Sequence, residues 1–93
     1  MEISMQDRNF YLAYFRTQMR ASQVMLESDV ELSQESKKWL EELCKYCKEC
    51  HKLIRKKKTA IPDRPDTLTL SEKSAKEIQA AIERLMEDIK NAQ

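Results

Sequence analysis

Apolar side chains recur at spacings of three and four in three separate stretches of the chain, and each stretch predicts an amphipathic helix. The clearest runs through Leu40, Leu43, Cys47, Cys50 and Ile54, at intervals of 3, 4, 3 and 4. This is the a/d pattern of a bundle seam and predicts a helix over about 34–58. Trp39, Tyr46 and Leu53 form a second line one residue earlier in each heptad, while Lys45, Lys48, Lys52 and Arg55 take the opposite face. Ser33 stands where an N-cap belongs, and the acids around it suit the positive end of the helix.

A first helix is predicted over about 5–28. At about 100° per residue, Leu12, Phe15, Met19 and Leu26 align with Ser22. Tyr11, Tyr14, Met25 and Phe10 widen the apolar sector to more than half the circumference, and Val24 lies outside it. The third helix, over about 72–91, carries a narrower stripe of Ala75, Ile78, Ile82, Leu85 and Ile89, with Ser71 as a candidate cap and Ser74-x-x-Glu77 as a competing capping box. The link between the first two helices is short, which implies antiparallel packing. The second link, 59–70, contains Pro62 and Pro65 and cannot be helical there. Fully extended it reaches roughly 40 Å, so the third helix can lie parallel or antiparallel to the second. The expected fold is an all-α three-helix bundle, one domain over 1–93 with 59–70 as connector.

Composition agrees with this reading. There is no glycine, and a sheet-rich chain of 93 residues would need several tight turns that call for it. Charged residues make up 35% of the chain at a net charge of +1, which suits helices with solvated faces. The first residues do not form a signal peptide, and no apolar run is long enough to span a bilayer. Three cysteines within seven residues read as reduced thiols, so a cytoplasmic protein with no membrane partner is expected.

Three groups of residues are candidates for function. Cys44, Cys47, Cys50 and His51 contain the spacing of a haem-attachment motif and three thiols that could meet a metal. A closed zinc site draws ligands from a second segment, however, and every cysteine and histidine of the chain lies in this one string. Cys47 and Cys50 also occupy the seam, where cysteine packs as a small hydrophobe. The expectation is therefore a core role, with no metal or other cofactor. Lys52, Arg55, Lys56, Lys57 and Lys58 form a basic run that could hold nucleic-acid phosphates, although cations at a helix C-terminus also favour the macrodipole.

The third group is the broad apolar sector of the first helix, extended by the second line of the second helix. Phe10, Tyr11, Tyr14, Met25, Trp39 and Tyr46 are the expected contacts for a protein partner, because a thin third helix cannot cover them all. A second copy of the chain is the simplest such partner, giving a homodimer and a larger helical bundle. With one histidine and no glycine-rich phosphate loop, the residues nominate no catalytic machinery. A small helical binding module, acting as an adaptor, inhibitor or regulatory subunit, is the resulting expectation. Phosphate binding is the alternative, and thiol or metal binding the third reading.

Overall fold

The computed structural model describes residues 1–92, which leaves only Gln93 of the expected domain outside it. It is an all-α three-helix bundle of α1 (Arg8–Glu27), α2 (Gln34–Arg55) and α3 (Glu72–Asn91). A single 3-10 turn, Met5–Asp7, precedes α1 and is capped by Ser4, so regular α-helix begins three residues later than the pattern predicts. Helix α2 ends at Arg55 rather than Lys58. There Lys57 takes a left-handed backbone conformation, φ 64°, its N–H donating to Ile54 O while that of Lys58 donates to Leu53 O. This pair of bonds is the Schellman closure, normally built on glycine.

The closure turns the chain back along α2. Residues 59–61 first pair with the N-terminal segment, Ile3 N–H donating to Thr59 O and Ile61 N–H to Met1 O, both at 2.9 Å. The connector then passes Tyr46, whose hydroxyl donates to Pro62 O at 2.8 Å, and Trp39, with the Arg64 guanidinium 5.8 Å from the indole centre. Ile61 and Leu68 are buried in the same core as the α2 seam. The connector therefore crosses the length of α2, and α3 starts beside the start of α2.

At that junction two helix N-termini meet, and their positive ends would repel without compensation. Ser33 Oγ accepts from Ser36 N and Ser71 Oγ from Ser74 N, each at 3.2 Å. Each helix also caps the other: Glu35 Oε1 accepts from Ser71 N at 2.9 Å, and Glu77 Oε1 from Ser33 N at 2.6 Å. Hydrogen bonds from Ser71 and Ser74 hold the Glu35 carboxyl below the usual carboxylate range, and those from Ser33 and Ser36 do the same for Glu77.

The core follows the α2 seam. Leu40, Leu43, Cys47, Cys50 and Ile54 are all buried, and Ser36 extends the line by one turn. Helix α1 lies antiparallel to α2, Arg8 near Ile54 and Phe15 against Tyr46, and buries Phe15, Ser22 and Met25. Helix α3 buries only Ser74, Ile78 and Ala81, all in its first half, against Met25, Leu32 and Leu40. Ala75 and Ile89, expected in its stripe, are exposed. Ile89 overhangs the end of the core, and Ala81 rather than Ala75 faces inward. The radius of gyration is 14.7 Å, against about 12 Å for a compact chain of this length, and the thinnest dimension is 18 Å, close to two helix layers.

Candidate functional site

The aromatic residues of α1 lie on both sides of its packed face. Phe10 stacks on Tyr14, and Tyr11 on Phe15, each at 6.3 Å between ring centres, as i,i+4 spacing requires. Phe15 meets Tyr46 edge-on at 6.2 Å, carrying the aromatic cluster across to α2. Between them opens a cleft of about 350 Å³, walled by Phe10, Tyr11, Tyr14 and Tyr46, with Cys47 and Arg64 at its margin. Of the expected partner contacts, Phe10 and Tyr14 are exposed, at 65% and 46%. Tyr11, Trp39 and Tyr46 are half-buried, and the connector packs over the latter two. Met25 is 5% exposed and belongs to the core under α3, so it offers no contact surface. The Trp39 indole N–H is buried without a hydrogen-bond partner.

Helix α1 has a second uncharged side, distinct from its core stripe. Phe10, Ala13, Tyr14, Thr17, Ala21 and Val24 are all exposed. They fall within about 100° of arc on the side away from the core. No charged residue interrupts that arc, although 35% of the chain is charged. An outward helix face in a monomer is ordinarily its most charged. The clue in the sequence was Val24, which lies outside the core stripe but continues the 10, 14, 17, 21 spacing.

The basic run behaves differently from expectation. Lys48, Lys52 and Lys56 line a hollow beside α2 that shares Met19, His51 and Arg55 with an adjoining hollow between α1 and α2, so that the two run into one groove. In that adjoining hollow Arg8, Arg16 and Arg20 of α1 face His51 and Arg55 of α2. Lys57 and Lys58 lie in the turn beyond and do not line it. The arginines escaped notice in the sequence because they are four or eight residues apart, and nothing local to them announces a patch. Only the antiparallel packing of two helices brings both sets together.

The cysteine string is divided by burial. Cys47 and Cys50 are buried in the seam, whereas Cys44 and His51 sit half-buried at its edge, and all three thiols are free. Burial pushes the Cys47 thiol up to about 11 and raises that of Cys50, so both remain protonated at neutral pH. The Tyr46 phenol is raised as well, chiefly by burial. His51 is lowered by desolvation and by Arg55 and Arg16 beside it. Among the described residues no set of three or more His, Cys, Asp or Glu side chains is placed to hold a metal ion. No helix among them is long and apolar enough to cross a membrane.

Fold and surface together define a small helical bundle with an aromatic, charge-free side and a basic side. The chain matches no family model, no curated protein and no solved structure.

Proposed function

We propose that the chain is a small protein-binding module, of the adaptor, inhibitor or regulatory-subunit kind, whose contact face is the outward side of α1. We further propose that a second copy of the chain is the partner that face accepts. The carrying observation is the charge-free strip of Phe10, Ala13, Tyr14, Thr17, Ala21 and Val24, exposed over about 21 Å of helix.

The order of sizes along the strip supports a second copy lying antiparallel. Large side chains stand at one end and small ones at the other. A two-fold axis near Thr17 sets Phe10 against Val24 and Tyr14 against Ala21, filling the seam evenly. A parallel pair would crowd the aromatic rings at one end and leave a gap at the other. Each large side chain removed from water contributes about 1.5–3 kcal/mol, and the strip contains no charge to desolvate.

Sedimentation equilibrium tests the reading. Wild type is expected as a dimer at high micromolar concentration. Phe10→Lys alone and Val24→Glu alone should each be monomeric, with unchanged helical circular dichroism because both side chains are exposed in the free chain. Mixing the two variants should restore a heterodimer, since the antiparallel register places position 10 of one copy against position 24 of the other. A wild-type monomer, or variants that dimerise as well as wild type, overturns the proposal.

A further inference from the structure

We infer that the groove between α1 and α2 is a binding site for the phosphate backbone of a nucleic-acid duplex, with Arg16 and Arg20 on one wall and Lys48, Lys52, Arg55 and Lys56 on the other. Among the described residues no acid lines either stretch of this groove. The ion pairs formed among them are Met1 with Asp63 and Lys76 with Glu72, so none of these six cations is neutralised within the chain. Six uncompensated cations facing one concave surface repel one another, and a polyanion relieves that repulsion.

The helix macrodipole does not account for the arrangement. Lys52 and Arg55 lie in the last turn of α2, where cations are favoured, but Arg16 and Arg20 lie well inside α1, and Lys48 is about two turns from the α2 terminus. Arg8 has a structural role, its Nε donating to Ile54 O at 3.3 Å and so closing the end of α2. Arg16 and Arg20 on α1, and Lys48, Lys52 and Lys56 along α2 and its cap, repeat at i,i+4 and so stand about 6 Å apart, with Arg55 beside Lys56.

The chemistry of the lining favours a duplex backbone. Apart from its basic residues the groove is lined by Leu12, Ala13, Thr17 and Met19, none of them aromatic. Recognition of single strands relies on bases stacked upon aromatic rings. A groove of cations whose one ring is the His51 imidazole contacts phosphates instead, independently of sequence. The exposed aromatic side chains that could anchor a membrane surface, Phe10 and Tyr14, line the other cleft of α1 rather than this groove. Ala13 and Thr17 belong both to this groove and to the strip proposed for self-association, so a duplex and a second copy compete at that edge of α1, and the inference stands whether or not the chain self-associates.

Fluorescence anisotropy with short duplex DNA and duplex RNA tests it, beside vesicles containing phosphatidylserine. Six phosphate contacts predict that duplex affinity falls about a thousandfold between 50 and 200 mM salt. Arg16→Gln with Arg20→Gln should bind more weakly at low salt and lose only about a hundredfold over the same range. Lys73→Gln with Lys76→Gln removes the same charge from exposed positions on α3 and should leave affinity unchanged. His51, the single histidine, lies inside the groove and supplies a second readout. Its ring proton resonances should shift on adding duplex, and its titration should move to higher pH. Binding to vesicles but not duplex, equal weakening by the two pairs of substitutions, or an unmoved His51 resonance overturns the inference.

Discussion

Replacing Lys57 with glycine should make this protein more stable. Lys57 is the residue without a glycine's freedom that is nonetheless held at φ 64°, in the turn that ends α2 and sends the connector back across it. For a residue with a β-carbon the left-handed region costs roughly 1–2 kcal/mol. Glycine removes that cost but brings a more flexible unfolded chain, which offsets about 0.5–1 kcal/mol. The net gain is then about 0.5–1 kcal/mol, or roughly 2–8 °C in melting temperature for a domain of this size. Thermal melts followed by circular dichroism at 222 nm would read it directly. Lys57→Ala is the necessary control, since it loses the same side-chain charge near the helix end and keeps the β-carbon. It should melt no higher than wild type. A glycine variant that melts at or below the alanine variant would refute the strain ascribed to this turn.

Four other outcomes are expected. The Cys47 and Cys50 thiols should react slowly with a thiol reagent in the native protein and rapidly after unfolding. Because the folded Cys47 value is raised from 9.0 to about 11, the unfolded chain loses this proton first as pH rises, and denaturant midpoints should fall between pH 9 and 11. At the other extreme the lowered Glu35 and Glu77 carboxyls contribute stability that is present above pH 4.5 and lost as pH falls through their folded values. Glu35→Ala with Glu77→Ala should remove that acid-side loss and lower the melting temperature at neutral pH, as an acid titration of both proteins would reveal. Finally, Leu40→Ala, at a side chain with no exposure, should cost about 2–5 kcal/mol in urea denaturation, enough to unfold a marginal domain.

Much of the fold is legible in the order of residues. The α2 seam from Leu40 to Ile54 is buried as its spacing requires, and Ser33 and Ser71 cap the two helices that begin after them. Such features depend on local geometry, in which a 3.6-residue period and a hydroxyl before the first turn suffice. Helix ends were less legible. The stop at Arg55 rests on a left-handed lysine, a conformation that composition does not announce.

What tertiary structure alone decided is which surfaces meet. Periodicity assigns Met25, Trp39 and Phe10 equally to an apolar sector, yet α3 covers the first, the connector half-covers the second, and the third stays in solvent. The direction of α3 was open because a twelve-residue link reaches either end of α2. The cross-caps between Glu35 and Ser71 and between Glu77 and Ser33 belong to the arrangement in which both helices start together. The basic groove has the same origin, since Arg16 and Arg20 are some thirty-five residues from His51 and Arg55 and line one hollow with them only when α1 lies back along α2. A sequence states the character of each helix face, but the partner of that face is set by the path of the chain. In this protein that path is fixed by the turn at Lys57 and the paired helix starts.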